Sequence, residues 1–216
     1  MFGCLAEFEG ALSLVDLSND DSMLIILGDY VHGPDSFGVL KKIIRLQKRY
    51  GQDKVVALIG NHEDMVIDGR GPIGGFDNGE GYDDREAEED EYIEWMKSLP
   101  RYYATERQIF CHAGIEEDAK DMWEWGTDDY TFTEKYPAQL GHFYMDIIAG
   151  HIGTGVISGD PGYHEIYFDS KSHYYIDGTV LDSGVIPVLM VDTETNKYYR
   201  VTDTGNRLIL PYDEKN

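Results

Sequence analysis

The first third of the chain alternates between helical and strand-like patterns of apolar residues. Apolar side chains recur three or four residues apart between residues 5 and 15, which predicts an amphipathic helix. Short apolar runs at 23–27 and 55–59 predict two buried strands. Between them, a second helical pattern begins near Pro34 and stops at Gly51. A strand, a helix and a strand with short connections predict parallel pairing and a right-handed crossover.

The pattern becomes irregular in the middle of the chain and strand-like towards its end. Residues 69–81 contain six glycines and are expected to form a loop, and helix is predicted at 84–98 and within 120–145. No repeat or linker divides the sequence. We therefore expect one α/β domain over 1–216, with two packed sheets flanked by helices. Residues 69–100 are expected to be a loop and helix insertion over the functional site. The strand-like runs of the second half are 165–168, 173–176, 186–191 and 198–201.

Charge narrows the classes of partner. The chain has 41 acidic and 18 basic residues, a formal charge of −23. Such a field repels nucleic acid polymers and anionic membranes, so we expect neither as a partner. The two cysteines are too few for a disulfide scaffold or a thiolate zinc site. No apolar run approaches a membrane span and no secretion signal is recognisable, so a cytoplasmic location is expected.

Four metal-capable side chains follow predicted strands. Asp29 and Asn61 come after the runs at 23–27 and 55–59, and His112 and His151 follow two further apolar runs. In open α/β sheets, ligands bind at the carboxyl ends of strands. A carboxylate oxygen, an amide oxygen and two imidazole nitrogens suit Mn, Fe or Zn rather than Ca. The four residues therefore predict a shared metal site.

His62 lies beside the predicted ligand Asn61 and needs a separate role. Adjacent residues in a loop point in different directions, so one can hold a metal while the other faces a substrate. An imidazole titrates near neutral pH and can protonate a leaving oxygen. The alternative is a structural histidine that caps the helix beginning near Glu63.

These segments resemble the phosphoprotein phosphatase branch of the calcineurin-like metallophosphoesterase family. Gly60-Asn61-His62-Glu63 matches one motif of that family in full. The other segments resemble its neighbouring motifs in order, and they are Gly28-Asp29-Tyr30-Val31 with Gly33-Pro34-Asp35-Ser36, then Phe110-Cys111-His112-Ala113-Gly114, and finally Gly150-His151.

The resemblance implies a four-layer α-β-β-α sandwich of two mixed sheets and a site for two divalent ions (Mn, Fe or Zn). Asp29 would bridge the ions, and Asn61, His112 and His151 would complete the shell of the second ion. His62 would be the general acid, and water activated by the metals would attack a phosphate monoester. The expected substrate is a phosphoprotein, as for serine/threonine phosphatases. A symmetrical dinucleoside polyphosphate hydrolase and a non-catalytic metal-binding relative are the alternatives.

The chain departs from the family pattern in two places. Phe2 stands where the family has a metal-binding His, and the Asp and strand expected before it are missing. Either the chain has been cut short, or it is a relative that keeps one ion or no activity. The single residue His32 replaces an Asp that orients the general acid and an Arg that grips phosphate. His32 and Asn61 are the candidates for contacting substrate, and the alternative for His32 is an ordinary exposed loop histidine.

Overall fold

The computed structural model describes residues 1–75 and 87–212, with side chains in the second range from residue 89 onward. The predicted acidic helix is present from Ala87, and its expected start at 84–86 falls outside the described residues, as does much of the glycine-rich loop. The helices are α1 (Leu5–Leu12), α2 (Ser36–Tyr50), α3 (Asn61–Ile67), α4 (Ala87–Lys97), α5 (Trp123–Gly126), α6 (Asp129–Glu134), α7 (Thr154–Ser158) and α8 (Val180–Ser183), with a 3₁₀ helix at Glu117–Met122.

Hydrogen bonding groups the strands of the described residues into three sheets. β1 pairs with β2 in parallel, a five-stranded mixed sheet has the order β3-β4-β5-β7-β6, and an antiparallel sheet has the order β10-β9-β8. No helix in the described ranges is long and apolar enough to cross a membrane. The strands are β1 (Leu24–Ile26), β2 (Val55–Ala57), β3 (Tyr102–Ala104), β4 (Gln108–Cys111), β5 (Asp146–Ala149), β6 (Tyr167–Phe168), β7 (His173–Tyr175), β8 (Val188–Asp192), β9 (Lys197–Thr202) and β10 (Gly205–Leu208).

The β1–α2–β2 unit confirms the predicted parallel pairing. Leu24 lies opposite Val55 in the register. The Asp35 side chain accepts the N–H of Gly38 at 2.9 Å and caps α2, because the first N–H groups of a helix lack partners within it. Gly51 ends α2 with a φ of 94°, a value that favours glycine.

The alternation of side chains along the strands produces four layers. One face of β1–β2 packs against α2, and one face of the five-stranded sheet packs against α5 and α6. The opposite faces meet each other in a third cluster between the sheets. The mixed α/β class and its sandwich packing are thus confirmed. The buried residues of this inner cluster are Val56, Leu58, Phe110, Ile148, Tyr174 and Tyr198.

Two strands were not predicted. All four residues of β10 are exposed, so this strand carries no alternation of buried and exposed positions. β3 has three half-buried residues and is too short for a periodic signal. Both strands are held by antiparallel pairing with a neighbour, β9 and β4 respectively. Pairing with a better-defined strand therefore decides their conformation.

A buried polar network fastens the C-terminal strands to the five-stranded sheet. The hydroxyl of Tyr198 donates to Asp146 Oδ2 at 2.5 Å and accepts from Gln108 Nε2 at 3.0 Å. Gln108 Nε2 also donates to Asn196 Oδ1 at 2.8 Å. Buried polar groups are costly unless they find partners, so this network fixes the position of β9 over β4 and β5.

A second buried network centres on His173 in β7, which is 1% exposed. Its Nδ1 lies 3.0 Å from Asp169 Oδ2, and its Nε2 lies 3.0 Å from Glu117 Oε1. Burial opposes the charged imidazole, but the bonds to these two carboxylates prevail and raise the pKa of His173 to about 9. The pKa of Asp169 is lowered to about 2, because its bonds to His173 and to backbone N–H groups outweigh its burial.

Candidate metal centre

The predicted ligands stand where four strands end. Asp29 follows β1, Asn61 begins α3 after β2, His112 follows β4 and His151 follows β5. β1 and β2 run parallel, as do β4 and β5, so the members of each pair end at the same edge of their sheet. The packing of the two sheets then brings these edges together.

Three of the four predicted ligands converge on one point. The Nε2 atom of His112 lies 3.0 Å from Asn61 Oδ1 and 3.3 Å from Asp29 Oδ1. The other ring nitrogen, Nδ1, lies 2.6 Å from the carbonyl oxygen of Leu27. A carbonyl oxygen only accepts, so Nδ1 carries the proton and donates it. In the neutral ring, the lone pair of Nε2 then points at Asn61 and Asp29.

This donor set fits a divalent ion. None of these three atoms, Nε2 of His112 and Oδ1 of Asn61 and Asp29, donates a hydrogen to another, and a cation between them would contact all three. The Nδ1–H contact with a backbone carbonyl is the usual support of a ligating histidine. Burial raises the pKa of Asp29, and His112 lowers it; the net direction is down, which favours the carboxylate form.

His151 lies beside this group. Its ring centroid is 5.2 Å from that of His112. Burial, followed by the proximity of His112, lowers the pKa of His151 to about 4, so the ring is neutral at pH 7, as a metal ligand must be. Within the described residues, no group of three or more His, Cys, Asp or Glu side chains is placed to hold an ion. The ligand role of His151 therefore stays a prediction.

His62 lies on the same edge and contacts two other rings. Its Nδ1 is 2.6 Å from Nδ1 of His32, and its ring is 4.7 Å from that of Phe2 in an edge-on arrangement. Its backbone N–H donates to Asp29 Oδ1 at 3.3 Å. Burial is the main cause that lowers the pKa of His62, and a phosphate dianion beside the ring would act in the opposite direction.

His32 is buried rather than exposed to solvent. Burial and then the neighbouring His62 lower its pKa, so it is mainly neutral at pH 7. The backbone N–H of His32 donates to the carbonyl of Ile73 at 3.1 Å, which brings the described part of the glycine-rich loop next to the site. Its role in binding substrate stays a prediction.

The loops of the site adopt left-handed backbone conformations. Asp29, His32 and His151 have φ values of 60°, 62° and 63°. Residues other than glycine rarely adopt such φ values, and those that do are concentrated at functional sites. Gly28 has a φ of 105°, and a Cβ added there would meet the backbone of Gly60 at 2.7 Å. Glycine at 28 therefore allows the Asp29 and Asn61 loops to touch.

We expect Gly28→Ala to lower the free energy of unfolding by roughly 3 kcal/mol, because it combines overpacking with a disfavoured φ. Chemical denaturation would measure the change. Gly10→Ala is the matched control, since Gly10 lies in α1 with nothing within 4 Å of its added Cβ. The control is expected to be neutral or slightly stabilising. Equal stability of the two variants would contradict the close approach of the loops.

Glu63 is a site residue whose role was not predicted from the sequence. It is fully buried, and its carboxylate accepts the N–H groups of both Asp29 and Gly60. Burial and then the charge of Asp29 raise its pKa to about 7. The available signal was its position three residues after Gly60, where a glutamate can bond back to the first N–H of a helix.

The chain belongs to the calcineurin-like phosphoesterase family, whose match covers residues 1–183. This family is generally dependent on two metal ions. The match contains Asp29, Asn61, His62, His112 and His151, all of which lie on the same edge of the fold.

The relatives found by comparison are distant. The symmetrical bis(5'-nucleosyl)-tetraphosphatase of Wigglesworthia glossinidia brevipalpis is 34% identical over 62 residues, which are 28% of this chain and 21% of that protein. The chain thus aligns with about a fifth of the length of this curated relative.

Two solved structures resemble the fold. A cold-active protein tyrosine phosphatase has a TM-score of 0.58 at 14% identity, over 98% of this chain and 78% of that chain. A metallophosphoesterase from Sphaerobacter thermophilus has a TM-score of 0.42 at 15% identity, over 98% of this chain and 86% of that chain. The likeness to the first structure supports the fold alone.

Proposed function

We propose that this protein is a metal-dependent phosphoesterase that hydrolyses phosphate monoesters, in the manner of the serine/threonine phosphatase branch of its family. The observation that carries the proposal is the convergence of Asn61 Oδ1 and Asp29 Oδ1 on Nε2 of His112, at 3.0 and 3.3 Å. His62 lies next to this group and is the proposed general acid. A cytoplasmic location, and the absence of nucleic acid and membrane partners, stay predictions.

The site residues would have three roles, which are metal binding, phosphate binding and proton transfer. Asp29, Asn61, His112 and His151 would hold a divalent ion, with Mn, Fe or Zn as the candidates. Such an ion, when bound, supplies Lewis acidity for the phosphoryl oxygens and lowers the pKa of water. Asn61 and His32 would contact the phosphate, and His62 would pass a proton to the leaving oxygen as the P–O bond breaks.

The donors described above would hold one ion. On the other side of Asp29, the N–H of Phe2 donates to the carbonyl of Asp29 at 2.6 Å, and the Phe2 ring packs against His62. A phenyl ring cannot ligate a metal. We therefore propose phosphate ester hydrolysis that uses the ion held by Asp29, Asn61 and His112.

The test is hydrolysis of p-nitrophenyl phosphate with and without added Mn²⁺. We expect Mn²⁺-dependent turnover in the protein, and a loss of about 10²-fold or more in Asp29→Asn, because this variant removes a charged ligand. Asp203→Asn is the matched control, since Asp203 is exposed in the turn between β9 and β10. Binding of Mn²⁺ without turnover would contradict the enzyme proposal and favour a non-catalytic metal-binding protein.

A second candidate substrate is a symmetrical dinucleoside tetraphosphate. The observation that favours it is the 34% identity with a bis(5'-nucleosyl)-tetraphosphatase over 62 residues. Assaying a phosphoserine peptide beside bis(5'-adenosyl) tetraphosphate separates the two. A kcat/KM that is higher for the dinucleotide by about 100-fold, or about 3 kcal/mol of transition-state stabilisation, would assign the protein to the second class.

A further inference from the structure

The carboxylate of Glu63 is enclosed between the two loops that carry Asp29 and Asn61. Glu63 is 0% exposed. Each of its two carboxylate oxygens accepts two backbone hydrogen bonds, four in all. The donors on Oε2 are the N–H groups of Asp29 at 2.8 Å and Gly60 at 2.9 Å, and those on Oε1 are the N–H groups of Tyr30 at 2.6 Å and Val31 at 3.3 Å.

These bonds continue the connection between β1 and β2 beyond the ends of the strands. The last backbone bond between the two segments is donated by Leu58 to Ile26 at 2.8 Å. After that point the chain forms two loops, whose N–H groups face Glu63 instead of each other. A buried carboxylate is costly without donors, and buried N–H groups are costly without acceptors, so each side satisfies the other.

We infer that Glu63 is a positioning residue that sets the separation between Asp29 on one loop and Asn61 and His62 on the other, and thereby the affinity for a divalent ion. The part of this inference that concerns the ion rests on the proposed function. The part that concerns the loops rests on the four hydrogen bonds. Glu63 itself faces backbone N–H groups, so it acts through the residues that it holds.

The test compares Glu63→Gln with the protein itself. Glutamine keeps the size of the side chain but replaces one acceptor oxygen with an NH₂ group, which meets two N–H groups head-on. We expect Mn²⁺ affinity, measured by calorimetry on the folded variant, to fall about 10- to 100-fold, as is usual when support behind a metal ligand is lost. Glu94→Gln is the matched control, because Glu94 is exposed on α4.

Amide hydrogen exchange provides a readout that does not depend on metal or activity. In the protein itself, the N–H groups of Asp29, Tyr30 and Gly60 should exchange as slowly as strand amides although they lie in loops. In Glu63→Gln they should exchange about 10-fold faster or more, while Ile147 and Ile176 of the five-stranded sheet region keep their protection. A uniform increase across the chain would indicate general destabilisation and would overturn a positioning role.

The outcomes separate this inference from the proposed function. Weaker Mn²⁺ binding and local loss of protection in Glu63→Gln support the inference even if no phosphate ester is hydrolysed. Unchanged Mn²⁺ affinity and unchanged exchange in the variant would overturn it even if the protein is an active phosphatase. If Glu63→Gln does not fold, the exchange of the unmodified protein decides, and fast exchange at Asp29, Tyr30 and Gly60 would refute the inference.

Discussion

Replacing His62 with asparagine is expected to lower kcat for a phosphoserine peptide by about 10²- to 10⁴-fold, the usual contribution of general acid catalysis. A serine alkoxide is a poor leaving group and needs a proton as the P–O bond breaks. p-Nitrophenolate leaves without one, so the fall in kcat for p-nitrophenyl phosphate should be far smaller. The ratio of the two effects, measured from steady-state kinetics, identifies the step in which His62 takes part.

The control for this prediction is His142→Asn, because His142 is exposed and lies outside the site. It should leave kcat unchanged for both substrates. Equal losses for the two substrates in His62→Asn would show that His62 supports the geometry of the site and does not protonate the leaving group. In that case the structural alternative, a histidine at the start of α3, would account for the residue.

Replacing His173 with glutamine is expected to lower the free energy of unfolding at pH 6 by about 3 kcal/mol, because removing one partner of a buried ion pair leaves the others uncompensated. The side chain of His173 is 1% exposed and bridges Asp169 and Glu117, each at 3.0 Å. Lys135 Nζ lies 3.9 Å from Glu117 Oε1 and compensates part of the loss. Urea denaturation would measure the change.

The pH dependence of this effect has a defined sign. The pKa of His173 is raised from 6.5 to about 9 in the folded protein. Between these values the folded state binds more protons than the unfolded state, so the stabilisation is complete below about pH 6.5 and is lost as pH rises towards 9. The difference between the protein and His173→Gln should therefore shrink by roughly 3 kcal/mol over this range.

His142→Gln serves as the control for the pH series, since it removes an exposed imidazole. Its free energy of unfolding should follow that of the unmodified protein at every pH. A gap between His173→Gln and the unmodified protein that stays constant from pH 6 to pH 9 would show that packing, and not the charge on His173, accounts for the loss of stability.

The positions of the candidate ligands could be predicted from the sequence because each one lies one or two residues after an apolar run. Parallel strands end at the same edge of a sheet, so the sequence could place Asp29 near Asn61 and His112 near His151. That the two pairs meet depends on how the two sheets pack. The structure places Oδ1 of Asn61 and Oδ1 of Asp29 at 3.0 and 3.3 Å from Nε2 of His112. The sequence also predicted that His151 lies near these residues, but it could not predict the distances between them.

The contacts that depend on tertiary packing could not be predicted in this way. His32 and His62 are 30 residues apart, and nothing local indicates that their Nδ1 atoms lie at 2.6 Å. Glu117 lies 56 residues before His173, and only the packed structure shows that Glu117 shares a buried site with His173 and its sequence neighbour Asp169. The strand β10 is exposed throughout, so hydrophobic periodicity carried no signal for it.

The placement of Tyr198 bears on where the folding unit ends. The family match stops at residue 183, but Tyr198 is buried between the sheets against residues such as Val56 and Phe110. A fragment cut at the end of the match would open this interior to water and leave Asp146 and Gln108 without the phenolic hydroxyl that joins them. The region that sequence similarity recognises therefore ends before the last residues that the folded core requires.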